Sequence, residues 1–253
     1  MWIIEYRDLI QILTISDLRV KYQSSILGFA WSLVNPLFIM LILYAVFSTI
    51  FSISEPHYPL YILIGIITWR FIANGSSQGM TSIVNNANLV TKVAIPRQIL
   101  VFSSVLSAFI SSILEFGVLF CLLIIFGVSF SPDFILFAPI HILYLLTVYA
   151  IAIGLASLYV YYRDLNQFWD ILLQAGFFLS PIVYPISAVP EKYLSLYMLN
   201  PITIIMELYR GILLYGTLPS IRQIVYLVAV SIAILLISRF IFNRLKLRFA
   251  EEV

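Results

Sequence analysis

Hydrophobic and polar positions divide the chain into long apolar runs separated by short polar segments. No Asp, Glu, Lys or Arg occurs in residues 22–54, and the second half of that stretch, 37–53, is rich in Leu, Ile, Phe, Met and Val. A helix needs about 20 mostly apolar residues to cross a hydrocarbon core of about 30 Å. The run therefore predicts a membrane-spanning helix, and the same pattern recurs along the chain. The predicted spans are about 33–51, 58–74, 96–127, 134–159, 168–183 and 221–241.

The residues before the first span, 1–30, predict an amphipathic helix at the membrane surface. Leu9, Ile10 and Leu13 follow helical spacing, with Glu5 and Asp8 elsewhere on the wheel. Such a face suits an interfacial helix. It would also suit a cytosolic helix that packs on protein.

Residues 180–220 predict a different structure because proline recurs along them. Proline removes a backbone donor and breaks helices, so no single span can cross this region. The prolines are Pro181, Pro185, Pro190, Pro201 and Pro219. Two short amphipathic patterns remain, each about 10–14 residues and therefore too short to span. We expect two re-entrant outer helices within 184–220, the second with Glu207 and Arg210 as its polar neighbours.

Composition supports this pattern and excludes a soluble domain. The chain is 62% hydrophobic and 10% charged, with a mean hydropathy of +1.04, whereas a soluble domain is about 25% charged. Lipid must therefore be the solvent for much of the surface, and long unbroken runs do not fit a membrane β-barrel. The sequence predicts an all-α polytopic membrane protein with one transmembrane domain, 1–253. The net charge of +2 and the lack of a basic stripe give no reason to expect nucleic acid as a partner.

The Lys and Arg residues of the loops predict the orientation, because cytoplasmic loops carry the excess of positive charge. With six spans and both termini inside, ten basic residues face the cytoplasm and three face outward, which favours this arrangement. The three outward residues are Lys192, Arg210 and Arg222. A seventh span through 193–214 would place the basic tail 244–248 outside, so we reject it.

No enzyme or cofactor site emerges from the motifs. The chain contains no Gly-rich phosphate loop ending in Gly-Lys-Ser/Thr. His57 and His141 have no Cys or His partner at metal-ligand spacing, and the lone Cys121 excludes an intrachain disulfide. We also expect no cleavable signal peptide, so that the first span acts as the insertion signal. The sequence therefore predicts no catalytic, metal or cofactor-binding residue in this chain.

Several short motifs, in order along nearly the whole chain, resemble the membrane subunit of ATP-binding-cassette exporters of bacterial polysaccharides, such as O-antigen, capsule and teichoic acid. The motifs are Asp17-Leu18-Arg19-Val20-Lys21-Tyr22, Leu27-Gly28, Trp31, Asn35-Pro36, Asn88-Leu89-Val90-Thr91-Lys92, Pro96-Arg97, Arg163-Asp164, Ser180-Pro181, Tyr184-Pro185, Pro190, Asn200-Pro201 and Arg210. Each motif is weak alone, but together they are specific.

The resemblance implies a permease subunit that does no chemistry. Two copies would form the path for polysaccharide or lipid-linked polysaccharide across the bacterial inner membrane, and two copies of a separate ATPase subunit would bind ATP and Mg. The loop 75–95 would receive the ATPase motion, and the Pro-rich helices would gate the outer side. The implied ATPase-coupling residues are Asn85, Asn88, Leu89, Lys92, Pro96 and Arg97.

Aromatic residues make up 15% of the chain, and a belt at the membrane interfaces explains many of them; a sugar substrate gives a second reason. Sugar rings stack on aromatic faces through weak, repeatable contacts, which suit a polymer that must keep moving. The predicted lining residues of the path are Tyr22, Trp31, Phe38, Tyr44, Tyr184 and Tyr209.

Two charged residues lie inside predicted spans. Arg70 and Glu115 are each 12 residues from the outer end of their span, so both lie about 18 Å deep at 1.5 Å per residue. Charges in lipid are usually paired. We hypothesise that the two side chains face each other; alternatively, Arg70 extends alone toward the membrane surface.

Three other functions fit less well. A membrane-embedded glycosyltransferase would need clustered acids, which are scattered here. A secondary transporter would show broken helices in two repeats. Only the aromatic content and the family motifs distinguish the expected polysaccharide exporter from an exporter of drugs or lipids with the same fold.

Overall fold

The structure is a computed structural model that describes residues 5–22, 30–49, 55–93, 95–129, 131–246 and 249–252. The helices are α1 (Arg7–Tyr22), α2 (Ala30–Thr49), α3 (Tyr58–Asn85), α4 (Ala87–Lys92), α5 (Gln98–Ile125), α6 (Phe137–Tyr159), α7 (Leu165–Leu179), α8 (Glu191–Tyr197), α9 (Pro201–Arg210), α10 (Ile221–Leu245) and α11 (Phe249–Glu252). Two 3₁₀ segments, Pro132–Leu136 and Ile186–Ala188, and a π-helical turn, Gly211–Tyr215, complete the regular structure. Within these ranges no residue is in a β-strand, and the predicted all-α class is confirmed.

Four of the described helices are long and apolar enough to cross a membrane. They are α2, α5, α6 with the 3₁₀ segment before it, and α10. Each coincides with a predicted span to within a few residues. Helix α7 occupies the predicted fifth span but has 15 residues, about 22 Å of helix.

Helix α3 corrects the prediction that the second span ends at residue 74 and a loop follows. The helix continues through Gly75-Ser76-Ser77-Gln78-Gly79 to Asn85. A Cβ added at Gly75 would lie 2.7 Å from Cγ1 of Val148, and one added at Gly79 would lie 2.7 Å from Cβ of Ala152. Two glycines four residues apart thus let the backbone of α3 approach α6 closely, as in helix pairs within membranes. The pattern that resembles a loop is a helix-packing surface.

Helix α3 is the central element of the fold. Every residue in 60–68 is buried, and the helix contacts α2, α5, α6, α7 and α9. A helix that is apolar or small on all sides can be buried on all sides. Helix α5 presents a row of buried serines to these contacts, including Ser107 and Ser111, whose small side chains permit close approach.

Helices α6 and α10 pack together through a second set of small residues. The hydroxyls of Thr147 and Ser231 lie 2.7 Å apart, and a Cβ at Gly154 would lie 2.6 Å from Oγ of Ser238. The two contacts are seven residues apart on each helix, which is two helical turns. This spacing keeps the two helices side by side along much of their length.

The Pro-rich segment 180–220 folds as two short helices with defined starts. The Asn200 side chain accepts a hydrogen bond from the Ile202 amide (3.0 Å), and Pro201 occupies the first turn of α9, where no amide donor is needed. Ser220 and Gln223 form a capping box that starts α10. The positions of the predicted outer helices thus correspond to α8 and α9.

The close approach at Gly79 gives a testable consequence for stability. We expect Gly79→Ala to lower the free energy of unfolding by about 1–3 kcal/mol, because its new methyl would overpack the contact with Ala152 and Val105. Gly117→Ala is the matched control, since a Cβ there meets no atom within 4 Å and alanine favours helix. Denaturant unfolding in detergent measures both. Equal stability of the two variants would contradict the close packing of α3.

Candidate functional site

One end of the bundle gathers three segments that are far apart in sequence. These are the connection between α3 and α5 (86–97), the connection between α6 and α7 (160–164), and the chain after α10, of which the structure describes Lys246 and α11. Arg97 donates to the Lys246 carbonyl (2.7 Å), and the Tyr161 hydroxyl donates to the carbonyl of Leu245, the last residue of α10 (2.8 Å). We call this the basic end, because it carries Lys92, Arg97, Arg163 and Lys246.

Helix α4 is a short helix on the surface of the basic end. Asn86 separates it from α3 by turning the chain, with its side-chain amide donating to the Ser82 carbonyl (2.8 Å). Val90 is buried and anchors the helix, whereas Asn88 and Lys92 are exposed. Of the other predicted coupling residues, Asn85 is exposed, and Leu89, Pro96 and Arg97 are half-buried.

A groove of about 640 Å³ lies beside α4. Tyr6, Thr91, Val93, Ile95 and Pro96 are among its lining residues, so the N-terminal region forms part of its wall. Val93 is 48% exposed, although it is apolar. A concave surface that combines such apolar side chains with Lys92 and Arg97 has the mixed character of a protein-docking site.

Helix α1 packs on α5 along one face and leaves another face open. The Ser104 hydroxyl donates to Asp17 (2.8 Å), and Ile10 and Thr14 are buried. Burial raises the pKa of the Asp17 carboxyl above its ordinary value, although the Ser104 hydrogen bond opposes this shift. Ile12 and Val20 remain exposed. One face of the helix therefore packs on protein, and another face exposes apolar side chains, as an interfacial helix would. Each of the two sequence interpretations describes one of these faces.

Helix α2 carries three of the predicted lining residues on exposed positions. Trp31 and Phe38, 50% and 57% exposed, are seven residues apart and share one face. Tyr44 is turned away from them, and its ring lies 5.9 Å from that of Tyr58. The structure thus brings Trp31 and Phe38 together and separates them from Tyr44.

The other three predicted lining residues have different outcomes. Tyr184 is half-buried in the Pro-rich segment, where its hydroxyl donates to the Phe178 carbonyl (2.9 Å) and lies 3.0 Å from that of Tyr197. Tyr209 is fully buried, and its hydroxyl lies 2.7 Å from Nδ1 of His141. Its side chain reaches no surface of this chain, so its place on a path stays a prediction. The side chain of Tyr22 lies outside the described residues.

Arg70 and Glu115 lie together in the interior, as the span positions suggest. Nε and Nη2 of Arg70 are each 3.3 Å from Oε1 of Glu115, which is 3% exposed. Nη1 of Arg70 donates to Oδ1 of Asn35 (3.0 Å). The three side chains link α2, α3 and α5. Sequence reasoning missed Asn35 as a partner, although an amide in an uncharged stretch beside a proline is an unusual feature of a span.

Arg210, counted above among the outward-facing basic residues, is not an exposed loop residue. It is fully buried, with its guanidinium carbon 3.5 Å from the ring centroid of Tyr61. It donates to Glu207 (2.8 Å) and to the Ile182 carbonyl (3.0 Å). Gly65 makes room for it, since a Cβ there would lie 3.0 Å from Nη2. Arg210 thus attaches the start of the Pro-rich segment and the end of α9 to α3.

His141 is a second buried polar residue, and it lies in the interior of α6. Its Nε2 lies 2.9 Å from the hydroxyl of Ser112, which donates to the Phe109 carbonyl. This network assigns the proton to Nε2 and makes Nδ1 the acceptor from Tyr209. With both nitrogens occupied, the imidazole has no lone pair left for a metal. Throughout the described part of the chain, no group of three His, Cys, Asp or Glu residues could hold a metal ion.

Comparison with known proteins gives consistent matches over the whole chain. Residues 8–214 match the family described as ABC-2 type transporter. The O-antigen export system permease protein RfbA of Klebsiella pneumoniae is 29% identical over 245 residues, covering 96% of this chain and 94% of that protein. The protein of that name from Myxococcus xanthus is 28% identical over 251 residues, covering 98% and 96%. The polysialic acid transport protein KpsM of Escherichia coli is 22% identical over 235 residues, covering 90% of each.

The interior ion pair is tested by a double-mutant cycle of Arg70→Ala and Glu115→Gln. Each single change leaves a buried polar partner and should lower the free energy of unfolding by about 3 kcal/mol. The coupling energy should be about 1–3 kcal/mol, the range for residues in contact. Unfolding in detergent provides the measurement.

The exposed pair Arg7 and Asp8, whose side chains are 81% and 83% exposed, is the control for this cycle and should show no measurable coupling. Additive effects of Arg70→Ala and Glu115→Gln would rule out the ion pair.

Proposed function

Because the chain belongs to the ABC-2 type transporter family, as a permease subunit whose ATPase is a separate protein, we propose that it exports polysaccharide or lipid-linked polysaccharide. Two copies form the path across the bacterial inner membrane, and two copies of the ATPase subunit dock on their basic ends. The observation that carries the proposal is the similarity to O-antigen export permeases over 96% of this chain.

The contacts at the basic end support six spans with both termini in the cytoplasm. The first connection, the second connection and the chain after α10 are in contact at the basic end. Positive charge marks the cytoplasmic side. The first half of α3 and the short α7, extended by residues 180–183, supply the two spans beyond the four most apolar helices. Helices α8 and α9 return to the outer side without crossing.

The exposed face of α2 supports a path between two copies. Asn35 is exposed on this face, in the second turn of the mostly apolar α2, and the Arg70 side chain behind it is 23% exposed. Lipid tails offer no partner for such groups. Trp31 and Phe38 lie on the same face. A surface that combines amide, guanidinium and aromatic groups suits hydrated sugar better than lipid, because it offers both hydrogen bonds and stacking.

Helix α4 and the groove beside it supply the docking site for the ATPase subunit. The exposed side chains of Asn88 and Lys92 and the apolar Val93 offer an interface at the end of the central helix. Because α3 contacts most other helices, displacement of its end would reach the rest of the bundle. This geometry gives the predicted coupling residues a mechanical connection to the path.

Site-directed labelling tests the orientation. In a Cys121→Ala background, Lys192→Cys should react with a membrane-impermeant maleimide in intact spheroplasts, and Lys92→Cys should react only after permeabilisation. Both lysines are exposed, so accessibility depends on the side of the membrane alone. Reaction of the cysteine at position 92 from outside would refute the proposed docking side.

Reconstitution tests the activity. The chain co-expressed with its ATPase subunit should purify as a complex, and vesicles of that complex should move a labelled lipid-linked glycan only when ATP is supplied. Vesicles with this chain alone should not move it. Transport without the ATPase, or ATP-driven transport of simple lipids or drugs with no glycan movement, would overturn the proposal.

Phe38 and Phe240 form a matched pair for this assay, since both are 57% exposed and apolar. We expect Phe38→Ala to slow glycan export roughly tenfold, as the loss of about 1.4 kcal/mol of favourable contact would. Phe240→Ala, on α10, should leave the rate unchanged. Equal effects would place the path elsewhere.

A further inference from the structure

The chain after α10 is held by hydrogen bonds from two separate connections. Arg97, from the first connection, donates to the Lys246 carbonyl at 2.7 Å. Tyr161 and Arg163, from the second connection, donate to the carbonyls of Leu245 (2.8 Å) and Glu252 (3.1 Å). All three acceptors are backbone carbonyls, so these contacts fix the path of the chain itself.

Phe249 supplies the apolar part of this attachment. It has no exposed surface, although the helix it starts has only four residues. Its ring packs edge-on against Phe242 (5.4 Å) and beside Tyr161 (6.1 Å), and the Arg97 guanidinium lies 5.9 Å from its centroid. Here one aromatic side chain contacts the last span and both connections at once.

Helix α4 has few neighbours through which it can transmit a displacement. It packs against the end of α3 and against α11, the helix that Phe249 starts. A force applied to α4 therefore divides between α3 and the chain after α10. The second route leads through Arg163 and Tyr161 to the connection between α6 and α7.

We propose that α11, held against the end of α10, forms a strut that makes the two connections of the basic end move as one body, with Phe249 as its positioning residue. This inference rests on the proposed function, because it assumes that an ATPase subunit displaces α4. Phe249 contacts neither substrate nor nucleotide. It determines whether displacement of α4 also moves α7 or is lost at the surface.

The strut is tested in the complete complex with the ATPase subunit, in vesicles, by measuring ATP hydrolysis and glycan export together. We expect Phe249→Ala to retain ATP hydrolysis and to lower glycan exported per ATP roughly tenfold, within the range for coupled sites. Phe249→Leu, which keeps the apolar contact, should export nearly as much glycan per ATP as the unaltered protein. Phe240→Ala is the control, because it removes an exposed phenylalanine near the same end of α10. An unchanged ratio in Phe249→Ala would overturn the inference.

A distance measurement on this chain alone keeps the test independent of transport. Spin labels at Asn88→Cys and Tyr162→Cys, both exposed and placed in a Cys121→Ala background, report the separation of the two connections. The distribution of distances between the two labels should be narrow with Phe249 present and broad in Phe249→Ala. Equally narrow distributions in both would refute the strut, even if glycan export fails altogether. A broad distribution only in Phe249→Ala, without any ATP-driven export, would support the strut and refute the proposed function.

Discussion

The close approach of helix α3 to its neighbours is the constraint on which the rest of the structure depends. In lipid, no hydrophobic effect drives helices together, so association relies on contact between backbones and on polar groups. Gly75 and Gly79 allow that contact with α6, and the buried serines of α5 allow it on another side. Once α3 is central, Arg70 and Arg210, one on α3 and one against it, have protein rather than lipid around them.

Polar contacts then attach the less deeply packed elements to this centre. Arg70 reaches Asn35 on α2, the Trp169 indole on α7 donates to the Ser76 hydroxyl (2.9 Å), and Arg210 holds the Pro-rich segment. Each of these residues comes from or contacts α3. In an apolar solvent a buried polar group without a partner is costly, so these few contacts determine where the peripheral elements lie.

The sequence predicts the apolar elements better than the polar ones, for physical reasons. Long apolar runs define their own helices, and the caps at Asn200 and Ser220 act locally, so both can be found without tertiary information. The pattern from Gly75 to Gly79 predicts a loop, because glycine and polar residues favour loops unless a neighbouring helix packs on them. The burial of Arg210 and Tyr209 depends on Tyr61, Gly65 and His141, which are distant in sequence. Only Arg70 and Glu115 had matching depths that suggested partners.

The distribution of packing separates a firm body from the parts that can move. Helices α3, α5 and α6 are deeply packed. In contrast, only three residues of α2 and no residue of α7 are buried. Segments that rearrange during function come from the less stable parts of a protein, because only they can be displaced at small cost. Helix α2 carries the exposed Asn35, Trp31 and Phe38, and the first turn of α7 follows directly from Arg163. The elements that would border a path are therefore also those that the basic end can displace without disrupting the centre.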